Sequence, residues 1–341
     1  MKRVQVLVLS GLFVSMLVGL QQSQSMQAFV QHARQQSNLS SASSPYSLSA
    51  LSSRLGMRQD QTGLLEKIQA EAVKRRIAPV NAQVDRVWKA IPGYNGLEVD
   101  VEKSLALTQE LPLSDNLKLV MREVPPAVGL DQLGAVPIYK GNPKKPMVSL
   151  MINVAWGNEF LPKMLEVLEK EQVHATFFFD GSWLKSNIPT ARLIKEKGHE
   201  LSNHAYSHKN MSQLSRSQTI SEISKTQQLL EKELGVQNTL FAPPSGDFNQ
   251  ATVDIAHELK LRTILWTLDT VDWTKPQPAS IVRKISTRVE PGSLILMHPT
   301  ASSSIALEEM IRVIKSKGLR LGTVSELISP NRIPEVESAV Q

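Results

Sequence analysis

From Met147 onward, short apolar runs alternate with longer stretches whose apolar residues recur at helical spacing. No other feature constrains the fold as strongly. Met147–Asn153, Ala175–Phe179, "HELSNH", "TLFAPP", "LRTILWTLD", "GSLILMHP" and the start of "RLGTVSELI" read as strands. Phe160–Glu171, Ile188–Lys197, Ser215–Leu234, Gln250–Leu259, Pro278–Arg288 and Ser304–Lys317 read as the helices between them. A helix of about three turns is long enough to return the chain to the start of the next strand. Repeated βα units predict an α/β fold with a parallel sheet, either open or closed into a barrel. In barrels the functional groups sit at the C-terminal ends of the strands.

The residues that follow the strands are therefore the ones to read. The first strand ends at Asn153, the third runs into "NHAYSHKN", the fourth into "APPSGD", the fifth into "DTVDW" and the sixth into "LMHP". Three of the seven histidines, His204, His208 and His298, thus fall on one rim, together with Asp272. His204 and His208 lie four residues apart, and two imidazoles at that spacing can share a divalent metal such as zinc. On a solvated helix turn the same spacing would mean nothing; its place after a strand end favours the metal reading. His298 closes an apolar strand and is either a satisfied core histidine or a general acid, since imidazole titrates near neutrality. Asp272 would orient such a ring. Pro243-Pro244-Ser245-Gly246 is a rigid turn, either an ordinary one or one whose backbone N–H groups face a developing oxyanion.

Upstream the pattern changes. Lys2 and Arg3 precede an apolar run, Val4–Leu20, which reads as a secretory signal with a small-x-small site at Ser23-Gln24-Ser25, or as an uncleaved membrane anchor. Residues 1–25 are assigned to it. Residues 26–61 are rich in Gln and Ser and read as a flexible tether, because such a tract cannot bury enough apolar surface to order itself. Residues 62–146 suggest a small α+β accessory region: a helix over Leu64–Ile77, a short helix in "NAQVDRVWKA", a strand through Leu97, Val99 and Val101, and a second strand in "NLKLVMREVPP". "PIYKGNPKKP" reads as a linker into the main domain, 147–330, and 331–341 as a tail. The chain has no cysteine, which excludes disulfides, thiolate metal sites, thiol nucleophiles and a lipidated cysteine anchor. A net charge of +6 suits anionic partners, but no dense Lys/Arg tract with interleaved aromatics points to nucleic acid.

These residues, in this order, resemble the polysaccharide deacetylases with a NodB-homology domain, carbohydrate esterase family 4. "GHELSNHAYSHKN", "FAPPSGDFN", "WTLDTVDW", "LILMHP" and "VHATFFFDGSWL" carry the resemblance, which spans Met147 to about Ile328. "NVAWGNE", the tether and "VWKAIPGYNGLEVD" are similar to a sporulation-associated, exported branch, the YlxY type, whose setting is peptidoglycan or spore envelope. The resemblance implies a distorted (β/α)7 barrel and metal-assisted hydrolysis of an N-acetyl amide on a glucosamine-type sugar. It implies a divalent metal, usually zinc, on His204 and His208, and His298 as the acid, oriented by Asp272. Ser245 would supply the oxyanion-binding N–H, and Trp273 and Leu296 would line the acetyl pocket.

The departures are equally specific. Ungapped counting places the family's base aspartate on Asn153, its metal-binding aspartate on Val154, the arginine that braces the base on Ala242 and a usual hydroxyl residue on Ala205. A carboxamide accepts no proton, and Val154 leaves two protein ligands where catalytic zinc usually has three. With no charge at Asn153 an arginine at position 242 would lack its partner. Asn153 Oδ1, Asn158, Glu159 and Asp247 are the substitutes within reach of the same loops. Two functions follow from this: a deacetylase with a modified and weak or inactive site, or a non-catalytic glycan-binding or scaffolding protein of the envelope. A purely structural barrel would leave the three rim histidines without a shared reason.

Overall fold

The computed structural model describes residues 59–109 and 117–333. The expected export signal, nearly all of the tether and most of the tail lie outside the described residues. No helix among the described residues is long and apolar enough to cross a membrane.

The chain divides into two units, and residues 62–146 contribute to both. One unit contains helix α1 (Gln59–Arg75) up to Lys74, and helix α2 (Val101–Gln109) with the stretch that ends at Val120. Within it Ser104 Oγ accepts from Val120 N–H at 2.8 Å, and Thr108 Oγ1 accepts from Lys118 N–H at 3.2 Å. Val101, expected at the end of a strand, instead opens α2.

The other unit begins with two antiparallel pairs, β1 (Gln83–Asp85) with β2 (Lys89–Ile91), and β3 (Gly96–Val99) with β4 (Met121–Val124). The first pair replaces the short helix expected in "NAQVDRVWKA". Asp85 is the reason: its Oδ1 accepts from the N–H groups of Val87 at 2.7 Å and Trp88 at 2.8 Å, an Asx-type turn that competes with a helix.

The rest of this unit is the expected alternation: β5 (Met147–Val154), α3 (Leu161–Lys170), β6 (Thr176–Phe179), α4 (Gly181–Ser186), α5 (Ile188–Glu196), β7 (Glu200–Asn203), α6 (Arg216–Leu234), β8 (Leu240–Phe241), α7 (Gln250–Glu258), β9 (Arg262–Thr263), β10 (Leu268–Asp269), α8 (Pro278–Arg288), β11 (Leu294–Met297), α9 (Ala301–Ser316), β12 (Arg320–Gly322) and α10 (Val324–Ile328). The strands form one eight-stranded sheet in the order β10-β11-β5-β6-β7-β8-β9, with β12 also on β5 and every pair parallel. The first and last strands of that order, β10 and β9, are joined by residues 264–267 alone, so the sheet curls into a partial barrel. "LRTILWTLD" is thus two short strands, not one. Between them Leu265 N–H bonds to Ile138 O at 2.8 Å and Thr267 Oγ1 to Tyr139 O at 2.8 Å.

That pairing also corrects the reading of "PIYKGNPKKP" as a linker. Ile138 is buried and bridges to Ile264, Gly141 N–H bonds to Gly292 O at 2.8 Å, and buried Lys145 caps Ser329 O at 2.8 Å. The segment is built into the barrel.

β5 is buried along its whole length, and its side chains alternate between two apolar layers. Val148, Leu150, Ile152 and Val154 belong to the cluster that includes Leu161, Leu165 and Leu168 of α3. Met147 and Met151 belong to the barrel interior with Phe178, Leu240, Ala242 and Leu296. Asn153 continues the interior row at its C-terminal end.

Candidate functional site at the C-terminal rim of the barrel

Asp272 opens a single 3₁₀ turn after β10 and is fully buried. Its Oδ1 lies 2.8 Å from His298 Nδ1, and its Oδ2 accepts from His298 N–H at 2.7 Å and from Ser303 Oγ at the start of α9. One carboxylate therefore fixes both the ring and the backbone of the residue that follows β11. It also sets the tautomer: Nδ1 carries the proton that faces Asp272, and Nε2 is left for exchange with a ligand. Leu296 is buried in the interior beneath this pair, and Trp273 is 59% exposed beside it. Besides Ser303, the residue missed in the sequence is Trp156. Its ring stacks on His298 with centroids 5.9 Å apart and planes within 9°. Gly157 makes this possible: its φ is +86°, and a Cβ there would meet Pro299 O at 2.1 Å.

His204 and His208 meet at the end of β7, with ring centroids 5.3 Å apart in an edge-to-face arrangement. The loop that joins them is strained and braced. Ala205 and His208 both take positive φ, 60° and 53°. Glu222 of α6 accepts from the N–H groups of Tyr206 at 3.1 Å and Ser207 at 2.8 Å and from Ser207 Oγ at 2.7 Å. His204 Nδ1 is 2.7 Å from Ala242 O, so this nitrogen donates and Nε2 keeps its lone pair. Burial, reinforced by neighbouring His208, pushes the His204 ring down to about 3, which keeps it neutral at any physiological pH.

The turn after β8 places Ser245 at φ 55° at its exposed tip, with Gly246 following in the same left-handed region. Asp247 is spent on the neighbouring segment after β7, where Oδ1 and Oδ2 accept from Ser212 N–H at 2.7 Å and Ser212 Oγ at 2.9 Å. Asn158 bridges Trp183 Nε1 at 2.6 Å and Asn187 at 2.7 Å. Glu159 is exposed. Asn153 is 4% exposed, and its Oδ1 has no hydrogen-bond partner among the described residues. Val154 is fully buried in the outer apolar layer.

The family model for polysaccharide deacetylase matches residues 140–264. The protein is 45% identical over 270 residues to YlxY of Bacillus subtilis, covering 79% of this chain and 85% of that one. It is 43% identical to BA3943 of Bacillus anthracis, whose structure is described as a pseudoenzyme of carbohydrate esterase family 4, with a TM-score of 0.72 over 79% of this chain and 96% of that one. The chain belongs to the polysaccharide deacetylase family. A BA3943 mutant described as having restored enzymatic activity also matches, with 42% identity and a TM-score of 0.72 over 79% of this chain and 99% of that one. A peptidoglycan-N-acetylglucosamine deacetylase of Bacillus cereus is 29% identical over 57% of this chain and 72% of its own.

Members of this family that hydrolyse an N-acetyl amide do so with a divalent metal, so the donor set can be tested directly. His204 fits: it is neutral, its Nδ1 is anchored on a carbonyl, and His208 is beside it. The set stops there. Among the described residues no three His, Asp or Glu side chains are grouped to hold a metal ion. Val154 has no donor atom, Asn158 and Asp247 are already bonded, and the unpartnered Asn153 Oδ1 belongs to a carboxamide, a poor zinc ligand. The residues present do not complete a catalytic zinc centre. The His298–Asp272 pair is fully hydrogen-bonded, whereas no third metal ligand stands beside His204 and His208 among the described residues.

Proposed function

We propose that this protein is an exported, envelope-associated member of the polysaccharide deacetylase family that holds N-acetylated cell-wall glycan at the barrel rim with weak or no turnover. Asn153 carries this reading: a neutral amide, buried and with its oxygen unsatisfied, stands where the family resemblance puts the base. The peptidoglycan deacetylases among its relatives supply the glycan class. The signal-like N-terminus supports export. Residual hydrolysis is the second reading, favoured by the fully bonded His298–Asp272 pair, whose buried carboxylate is an expensive feature to keep for packing alone. The test couples two assays on one preparation, sedimentation with insoluble peptidoglycan and acetate release with excess zinc. Co-sedimentation without acetate supports binding. Acetate release abolished by His298→Ala supports the residual enzyme. Neither signal refutes the proposal.

A further inference from the structure

We infer that Asn153 makes the rim selective for the intact N-acetyl group over the free amine, so that the site reads the acetylation state of a glycan. The inference rests on the glycan-binding reading and extends it to one atom. Asn153 stands at the C-terminal end of the interior-facing row of β5, beyond Met147 and Met151. Its Oδ1 is buried and accepts no hydrogen bond from any described residue. Such an atom is costly in the free protein and is relieved by a ligand that brings a donor. A 2-acetamido group brings one N–H and one carbonyl, and a carboxamide side chain offers the matching acceptor and donor. The apolar side chains at this end of the barrel suit the rest of that group. Leu296 is buried in the interior, and the Trp156 ring, 45% exposed, stacks on His298 at the same rim.

The charge balance points the same way. A de-N-acetylated sugar presents an ammonium at neutral pH, and a cation drawn into a buried site needs a carboxylate. Asn153 and Val154 supply none, and both oxygens of Asp272 are taken by His298 and Ser303. Aspartates at the first two positions would attract the ammonium; an amide and an aliphatic side chain reject it. The same replacements that remove hydrolysis therefore favour its unreacted substrate over its product.

The test is calorimetric titration of the full chain with the β-1,4-linked N-acetylglucosamine tetramer and with the fully de-N-acetylated tetramer. The acetylated tetramer is expected to bind at least about tenfold more tightly, as sites that hydrogen-bond a polar group discriminate. Asn153→Leu, which keeps the size but loses the acceptor, is expected to abolish the preference. Asn153→Asp is expected to shift it toward the amine, and it carries the test alone if the leucine variant does not fold. Equal affinity of the unmodified protein for both tetramers, or an unchanged preference in Asn153→Asp, overturns the inference and leaves glycan binding standing. Binding of neither tetramer overturns both.

Discussion

At the scale of single residues, the site is a deacetylase rim altered at a few linked positions. His204 is already prepared as a ligand, so the shortest route back to a metal centre is one carboxylate. Val154→Asp is expected to raise bound zinc from well below one to about one per chain, read by elemental analysis after dialysis, because it supplies the third ligand that catalytic sites require. On the acid side, Asp272→Ala would leave His298 N–H, His298 Nδ1–H and Ser303 Oγ without their buried acceptor. A loss of about 3 kcal/mol in urea unfolding is expected, typical of breaking a buried charged network. Most of these residues were legible in the sequence, because strand ends and motif order give their positions. Trp156 and Ser303 were not. Their roles depend on two loops meeting in space, and neither side chain has a spacing signature. The unsatisfied Asn153 oxygen was also invisible, since burial of one atom is a tertiary fact.

At the scale of elements, the period-2 alternation of β5 separates the interior row that ends at Asn153 from the outer row that ends at Val154. The loop that follows is fixed by Gly157. Gly157→Ala would place a methyl against Pro299 O at a positive φ, so the loop must move and Trp156 must leave His298. The expected result is a destabilisation of more than about 1 kcal/mol and a lower affinity for acetylated glycan, measured by urea unfolding and calorimetry on the same variant. Helices and long strands were legible because their periodicity is sustained; α8 spans Pro278–Arg288 as read from the sequence. Short elements were not. The β1–β2 hairpin turns on a side-chain bond from Asp85, and "LRTILWTLD" is divided where the curling sheet passes from β9 to β10. Apolar content alone cannot distinguish one continuous strand from two short ones.

At the scale of the whole molecule, buried neutral histidines tie stability to pH. His199 is pushed down from 6.5 to about 4, chiefly by burial and then by the nearby charges of His174 and Lys197. As pH falls below about 6.5 the unfolded chain takes up a proton that the folded chain refuses, so stability present above 6.5 is lost steadily down to about 4. His204 adds a loss of the same sign that continues to about 3. His199→Asn, which can still accept from Ala175 N–H, is expected to show a shallower fall in urea midpoint between about pH 6.5 and 4 than the unmodified protein. The parallel α/β sheet was legible because βα repetition leaves few topologies, and its curling into a barrel was implied by the family resemblance alone. The role of residues 137–146 was not, since burial of a Lys- and Pro-rich segment against the barrel has no local signal.

If Asn153 and Val154 leave the rim able to bind glycan but unable to activate water, restoring carboxylates there restores turnover. The most direct measurement is acetate released from N-acetylated peptidoglycan fragments, in excess zinc, by the unmodified protein and by the Asn153→Asp, Val154→Asp double variant. The expectation is release near background from the unmodified protein and a rate at least about a hundredfold higher from the double variant, the range typical when a general base is regained. Acetate release from the unmodified protein at a rate equal to the double variant's, and lost on His204→Ala, would contradict it.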